Sequence, residues 1–335
     1  MTKSNMDMHR IAVIVFKKIT FITILTSLLL LAGCSKTRSE KVRIGYIPFN
    51  ADLPFFVSQE KGYFIEEGIK VDALRFGDSG QAMNAMLAKQ IDLVAGLTFS
   101  IFFSAEQESP GKFKLIIPFA EVKSKLMSAL VVGPDAKIKS LSDLKGKKIG
   151  TYSGPTQLLY LKLFIKKIGL NPDKDITILQ VASDLQVQAL LAKQFDALFT
   201  VEPYGTIAIQ QGAGKILLEN PRYHYITAPF WSGATGIDSE FCHKHLGTVG
   251  RIYKALAKAV DFINNQETEA KRILAKYTPL DESTALKSGL YKWFKVEESI
   301  DYSSVQKIAD YMYEYKLLNK QLDAKELFLT AKELE

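Results

Sequence analysis

The sequence predicts an α/β protein with two lobes, each built on a mostly parallel sheet flanked by helices. Short strand-like and helix-like segments alternate along residues 42–100 and again along residues 147–201, which is typical of βαβ units. The decapeptide AMLAKQIDLV, Ala85–Val94, also recurs as ALLAKQFDAL, Ala189–Leu198, with six of ten positions identical. Such a short recurrence could arise by chance, but two lobes follow from the alternation alone.

The two rounds of alternation contain corresponding elements in the same order. In the first round they are KVRIGYI (strand), DLPFFVSQEKGYF (helix), IKVDALRF (strand), SGQAMNAMLAKQ (helix) and IDLVAGL (strand). In the second they are KKIGTY (strand), PTQLLYLKLFIKKIG (helix), DITILQV (strand), SDLQVQALLAKQ (helix) and FDALFTV (strand). The repeated decapeptide therefore occupies the same slot in both rounds.

Extended segments connect the two predicted lobes. The segments KFKLIIPFA and LMSALVVG lead to the second lobe, and HYITAPFWSGATG leads back. The sequence beyond is almost wholly helical in pattern, and RIYKALAKAVDFI carries an apolar stripe that we expect to pack on the first lobe. These boundaries give lobe 1 as residues 42–123 plus 230–335, and lobe 2 as residues 124–229.

The first 33 residues read as a lipoprotein signal peptide. A basic lead is followed by the apolar run ITFITILTSLLLLAG, which is short for a membrane span. The run ends in Leu31-Ala32-Gly33-Cys34, which resembles a bacterial lipobox and makes Cys34 the predicted lipidation site. Residues 34–41 would form a lipidated tether. The alternative is an uncleaved membrane anchor, and both interpretations place the remaining chain outside the cytoplasm, anchored to a membrane.

Composition narrows the function classes. A chain of 335 residues with 47% hydrophobic content can bury a sizeable core. The net charge of +7 is spread along the chain, so no nucleic-acid partner is expected. Cys242 is the only cysteine besides Cys34, so lipidation of Cys34 leaves no internal disulfide.

Three segments carry a resemblance to a known family: FFVSQEKGYFIEEGIKVDALRFGDSGQAMNAMLAKQIDLVAG, LSDLKGKKIGTYSGPT and FDALFTVEPYGTIAIQQGAGKIL. Together they resemble the solute-binding proteins of ABC importers for nitrate, taurine and aliphatic sulfonates, and thiamine-precursor pyrimidines. The resemblance implies a type II periplasmic binding fold with a solute in the cleft. Its implied partners are the small-molecule solute, an ABC permease and its ATPase, and we expect a monomer.

Candidate ligand-binding residues follow the predicted strands, because ligands of open α/β sheets bind beyond the carboxyl ends of the strands. The candidates near strand ends and helix starts are Phe49, Asn50, Thr98, Phe99, Ser153, Gly154, Thr156 and Gln157. Gly154 permits close backbone approach, and Pro155 suits a first helical turn. For Ser153 and Thr156 the alternative role is helix capping.

Three further candidates are Glu202, Tyr204 and Trp231. Glu202 could instead cap the next helix with Tyr204 packed on it, and Trp231 could be plain hinge packing. The abundance of aromatic residues near the predicted cleft favours a planar solute. Arg75 is the only arginine assigned to a predicted strand end, so we expect a neutral or singly charged solute, a thiamine-precursor pyrimidine before a sulfonate or taurine.

Catalysis, a cofactor and a metal are not expected. Cys242-His243-Lys244-His245 has no second ligand cluster nearby in sequence, and the chain has neither a GxSxG motif nor a P-loop. The cysteine-rich cluster of the related thiamine-pyrimidine synthases is also absent from the sequence. An enzyme of thiamine-pyrimidine synthesis and a solute-sensing domain for a membrane partner remain the alternatives to an importer receptor.

Overall fold

A computed structural model describes residues 40–296, 298 and 300–334. The predicted signal peptide and the predicted lipidation site Cys34 lie outside these residues. The predicted tether, residues 34–41, overlaps the fold at its end, because Glu40 and Lys41 already belong to the first strand. Within the described part of the chain, no helix is both long and apolar enough to cross a membrane.

The first sheet has six strands: β1 (Glu40–Tyr46), β2 (Ile69–Arg75), β3 (Leu93–Thr98), β4 (Phe113–Glu121), β10 (Phe230–Asp238) and β11 (Lys292–Trp293). Their order across the sheet is β11-β4-β10-β3-β1-β2. Strand β1 pairs in parallel with β2 and β3, whereas β10 runs antiparallel to β3 and β4. Strands β1 to β4 therefore run in one direction, with β10 and β11 reversed.

The second sheet has five strands: β5 (Ser128–Val132), β6 (Lys148–Tyr152), β7 (Thr177–Val181), β8 (Ala197–Val201) and β9 (Lys215–Glu219). Their order is β7-β6-β8-β5-β9, with β6 parallel to β7 and β8, and β5 antiparallel to β8 and β9. Each sheet thus has the same plan: three parallel strands ordered second, first, third, then one reversed strand, then a fourth. The predicted α/β class with two mostly parallel sheets is confirmed.

Fourteen helices accompany these strands within the described residues. They are α1 (Leu53–Glu60), α2 (Tyr63–Glu66), α3 (Ser79–Leu87), α4 (Phe99–Glu108), α5 (Pro155–Lys167), α6 (Gln186–Leu191), α7 (Tyr204–Gln210), α8 (Pro221–Tyr225), α9 (Ser239–Lys244), α10 (Leu246–Asn265), α11 (Glu267–Tyr277), α12 (Glu282–Lys287), α13 (Tyr302–Glu314) and α14 (Ala331–Leu334). Short 3-10 helices occur at Asn50–Asp52, Leu141–Leu144 and Ala324–Leu327.

The repeated decapeptide has the same structure in both copies. It ends a helix, α3 or α6, turns through a lysine with left-handed backbone, and enters the third strand of its lobe. The lysines are Lys89 (φ 59°) and Lys193 (φ 55°). Asp92 and Asp196 then each accept a 2.8 Å hydrogen bond from a backbone N–H of the first strand in the same lobe. Each carboxylate therefore joins the start of the third strand to the first.

The long C-terminal helix α10 lies against the first lobe. The apolar stripe of α10, which includes Ile252, Leu256 and Val260, is buried, and α10 packs against α1. Two details differ from the sequence-based expectation. The short strand β11 interrupts the helical region and adds an edge to the first sheet beside β4. The segment predicted as extended from His224 begins inside helix α8, where Pro221 occupies the first helical turn.

Candidate functional site

A cavity of about 540 Å³ lies where loops from both sheets meet. Residues that follow β1, β2 and β3 form one wall, and residues that follow β6, β7 and β8 form the other. The lining residues are Phe49, Ser79, Thr98, Ser100, Ile101, Ser104, Tyr152, Ser153, Gly154, Pro155, Thr156, Gln157, Tyr160, Ser183, Val201, Tyr204, Arg222, Phe230, Ser232 and Tyr291. The cavity thus occupies the carboxyl-end position expected for ligands of parallel sheets.

Seven of the eleven candidate residues line this cavity: Phe49, Thr98, Ser153, Gly154, Thr156, Gln157 and Tyr204. On the first-lobe wall, the hydroxyl of Thr98 lies 2.9 Å from that of Ser100 at the start of α4. Thr98 makes no capping hydrogen bond to the helix backbone. Its exposed hydroxyl is therefore available to a solute.

The segment that begins α5 forms much of the second-lobe wall. Gly154 has φ +146° and ψ 141°, a conformation that a side chain would strain, and Pro155 occupies the first helical turn as predicted. The Ser153 hydroxyl donates to the Val181 carbonyl oxygen at 3.2 Å. It therefore does not cap α5, whose N-cap position belongs to Gly154.

Gln157 is buried in this wall. Its Nε2 donates to the Thr151 hydroxyl at 2.9 Å, which fixes the orientation of the amide. Its Oε1 accepts no hydrogen bond from the described residues, although it is shielded from solvent. A buried amide oxygen without a donor is costly, so a donor supplied by a solute would satisfy it.

The other four candidates lie outside the cavity lining. Asn50 is buried and donates through Nδ2 to the Gly289 carbonyl oxygen at 3.3 Å. Phe99 stacks within the core, and Trp231 is 1% exposed with its ring packed on another aromatic side chain. Trp231 is therefore held in packing contacts outside the cavity lining.

Glu202 is buried beside the start of α7. Its two carboxyl oxygens accept hydrogen bonds from the backbone N–H of Thr206, at 3.1 Å, and from its hydroxyl, at 2.6 Å. This is the capping contact that was the alternative to solute binding. Burial raises the pKa of Glu202 to about 7, against the opposing effect of the hydrogen bonds from Thr206. The carboxyl is therefore close to half protonated at neutral pH.

The sequence interpretation missed Arg222, which lines the cavity from α8. Its side chain is 5% exposed and forms an ion pair with the buried carboxylate of Glu121. Burial lowers the pKa of Arg222, but the attraction of Glu121 outweighs it and the pKa ends above its ordinary value. Arg222 is therefore charged. Strand β9 was not recognised in the run KILLE, so an arginine following it was not assigned to a strand end.

Tyrosines surround this guanidinium. Tyr152, Tyr160 and Tyr291 are all in the cavity wall, and burial raises the pKa of each, that of Tyr291 to about 12. All three hydroxyls are therefore protonated at neutral pH. Arg222 is the one ionised side chain in the lining of this cavity.

Comparison with known proteins shows the family and the fold of this chain. The model of the NMT1-like family matches residues 35–278. The crystal structure of the periplasmic aliphatic sulphonate binding protein SsuA from Escherichia coli has a TM-score of 0.71, with 18% identity, 86% of this chain and 97% of that chain covered. This similarity shows the type II periplasmic binding fold that the sequence predicted.

Two curated relatives are named for nitrate. The nitrate import ATP-binding protein NrtC of Synechocystis sp. is 24% identical over 250 residues, 68% of this chain and 36% of that protein. The nitrate/nitrite binding protein NrtA of Nostoc sp. is 24% identical over 201 residues, 55% of this chain and 45% of that protein. The chain thus spans less than half the length of either relative.

Proposed function

Because the chain belongs to the NMT1-like family, we propose that it is the exported solute-binding component of an ABC importer. It captures a small organic solute between its lobes and delivers it to a membrane permease. The observation that carries this proposal is the cavity whose two walls come from the carboxyl ends of two similar sheets. A solute there touches both lobes at once.

Contact with both lobes gives a physical basis for delivery. A solute that bridges two lobes binds the closed arrangement more tightly than the open one, so occupancy shifts the population toward closure. The two crossovers, between β4 and β5 and between β9 and β10, are the natural hinge. A permease that recognises the closed form then receives loaded protein in preference to empty protein.

Membrane attachment through lipidated Cys34 is part of the proposal. Its support is the Leu-Ala-Gly-Cys sequence after a basic lead and an apolar run. Because β1 begins at Glu40, only residues 35–39 would separate the lipid-bearing cysteine from the sheet. Acyl chains on that residue would keep the binding lobes close to the permease, and more than one chain is needed for durable attachment.

The solute we propose is a thiamine-precursor pyrimidine or a sulfonate or taurine-like compound. The aromatic lining residues Phe49, Tyr152 and Tyr204 support a planar solute. The preference for the pyrimidine also relied on the lack of an arginine at the cleft, and that premise is wrong because Arg222 lines it. The structure therefore leaves the sulfonates with equal support.

One set of measurements distinguishes a role in import from a role in sensing or in catalysis. The purified exported chain is incubated with cell extract, and the compound retained is identified by mass spectrometry. We expect that compound to be recovered unchanged. We also expect it to make the protein more compact, as measured by small-angle X-ray scattering, and we expect cells that lack the chain not to take the compound up. Conversion of the compound would indicate an enzyme, and normal uptake without the chain would indicate a sensor; either contradicts the proposal.

Lipid attachment has its own test. In cells, Cys34→Ser is expected to release the chain from the membrane fraction and to lower uptake without changing solute affinity of the purified protein. The matched control is Cys242→Ser, which alters the buried cysteine of α9 and leaves the predicted lipidation site intact. Membrane retention of Cys34→Ser would contradict lipidation of this residue.

A further inference from the structure

The two crossovers are tied together by one buried ion pair. Glu121 is the last residue of β4, where the chain leaves the first sheet, and Arg222 lies in α8, where it begins to return. Glu121 is fully buried, and its second oxygen accepts a 2.7 Å hydrogen bond from the Ser128 hydroxyl. Glu121 is thus held by partners on two elements and faces Arg222 in a fixed orientation.

Aromatic rings fix the guanidinium from the sides. Its central carbon lies 4.8 Å from the ring centre of Phe230 and 6.0 Å from that of Tyr160. The hydroxyls of Tyr152 and Tyr291 also interact with it. A guanidinium surrounded in this way keeps its orientation and is poorly hydrated, which strengthens a charge-assisted hydrogen bond to a ligand.

Part of the guanidinium has no hydrogen-bond partner. Arg222 lines the cavity, yet its buried Nε–H donates to no acceptor among the described residues. Such an orphaned donor on a charged group is costly unless a ligand atom completes it. The Oε1 of Gln157 in the same cavity lining is also unpartnered. The site therefore contains one unused cationic donor and one unused acceptor.

The surrounding backbone favours a negative charge in the cavity. Helices α3, α4 and α5, of 9, 10 and 13 residues, each place a first-turn residue in the cavity lining: Ser79, Ser100 and Pro155. The positive ends of these helices and the hydroxyls around them stabilise an anion. The ion pair with Glu121 has the opposite effect, because it already balances the positive charge of Arg222.

We propose that Arg222 anchors the solute through a single anionic group and that Glu121 limits the charge accepted there to one. This inference rests on the proposed solute-binding function and assigns its specificity. A carboxylate or sulfonate would accept from Arg222, while a donor on the solute would satisfy Gln157. A dianion would face one cation that is already paired, with no second ionised cation in the lining.

The experiment compares charged probes with neutral partners of the same shape by titration calorimetry. The pairs are benzoate with benzamide, nicotinate with nicotinamide, and benzenesulfonate with benzenesulfonamide; the dianion is terephthalate. For the wild-type chain we expect at least one monoanion to bind about tenfold or more tightly than its neutral partner and than the dianion. If no monoanion shows this preference, the anchor is overturned.

Variants identify the groups responsible. Arg222→Gln is expected to lower affinity for the preferred monoanion roughly 10- to 100-fold and affinity for its neutral partner little. Glu121→Gln is expected to raise affinity for the dianion about tenfold, because the arginine loses its counter-charge. Arg75→Gln is the matched control, since this exposed arginine ends β2 outside the cavity lining. Unchanged monoanion affinity in Arg222→Gln overturns the proposal.

A single substitution leaves one buried charge unpaired, which can prevent folding. The double variant Glu121→Gln/Arg222→Met removes both charges and keeps similar volumes. It is expected to lose the preference for the monoanion over its neutral partner. A retained preference overturns the anchor. If a neutral solute closes the lobes and is imported, the anchor fails while the importer receptor stands; loss of all binding and uptake activity would instead refute the receptor itself.

Discussion

The two lobes share a helix, a turn and a strand, and they diverge at the first residues beyond that unit. Aligning the two copies of the repeat in sequence places Thr98 of lobe 1 at the position of Glu202 in lobe 2. Thr98 is exposed in the cavity wall, whereas Glu202 is 1% exposed and bonded to its own helix. The chain thus repeats the backbone frame but varies the side chains that meet the cleft.

The similarity of the two lobes includes one glycine in the first parallel strand of each sheet, β1 and β6. A Cβ on Gly45 would lie 2.5 Å from Ile91, and a Cβ on Gly150 would lie 2.5 Å from Phe195. Ile91 and Phe195 are the same position of the repeated decapeptide. A side chain at either glycine would therefore force the same residue of the repeat to move.

The largest expected difference between the lobes is a pH effect from Glu202. Its folded pKa of about 7 is above its ordinary value, so the native state binds a proton more tightly than the unfolded state. The resulting stability is full below the unfolded pKa and is lost as pH rises through 7, by about 3 kcal/mol in all. Urea unfolding of the wild type and Glu202→Gln between pH 4.5 and pH 8 measures it.

The variant Thr98→Val is the matched control at the equivalent position, where no titrating group is present. We expect its pH profile to parallel that of the wild type, whereas Glu202→Gln should be flatter. Burial also raises the pKa of Asp52 well above its ordinary value, so a residual slope of the same sign is expected in both variants. Parallel profiles for Glu202→Gln and the wild type would show that Glu202 is not the group involved.

The second comparison concerns the two aspartates of the repeat. The carboxylate of Asp196 accepts a hydrogen bond from a backbone N–H. The carboxylate of Asp92 does the same and also pairs with the Arg43 guanidinium, whose Nε lies 3.2 Å from Asp92 Oδ2. We expect Asp92→Ala to cost about 2 kcal/mol and Asp196→Ala about 1 kcal/mol, because half-exposed Arg43 adds only a screened contribution. Denaturant unfolding at neutral pH gives both values. Equal costs would mean that Arg43 contributes nothing beyond its backbone.

The smallest expected effect comes from the lysines with left-handed backbone. Glycine adopts positive φ without strain, so Lys89→Gly and Lys193→Gly should each stabilise the chain by up to about 1 kcal/mol. Both lysines form exposed ion pairs, with Glu240 and Asp135, which are worth little. Alanine at the same positions removes the ion pair but keeps the strain. A similar shift in Tm for alanine and glycine would contradict the strain explanation.

The sequence predicted most of the parallel strands because those predictions rested on periodic patterns. The alternation and the repeat predicted the strands β1 to β3 and β6 to β8 in their correct slots. The two-residue strand β11 could not be predicted, because its pairing with β4 depends on a contact between segments far apart in sequence. The predicted tether overlaps β1 for the same reason, because Glu40 and Lys41 belong to the strand through their pairing with β2, which is distant in sequence.

Residues of the site were predicted only where they directly follow a predicted strand. Ser153 to Gln157 follow β6 and line the cavity, and their motif is visible in sequence. Tyr291 comes from a region that reads as helical, and Tyr160 lies one turn inside α5, so neither has a local signal. Trp231 has the residue type of a cleft wall, but the direction of its side chain is set by packing against Phe294, which no local pattern reveals.

The positions of the strands along the chain determine when each sheet can be completed. All five strands of the second sheet lie within residues 128–219, so this sheet can assemble as soon as that stretch is available. The first sheet lacks the strand between β3 and β4 until residue 238 has emerged. The first lobe therefore contains the first strand of the chain, but its sheet can be completed only after that of the second lobe.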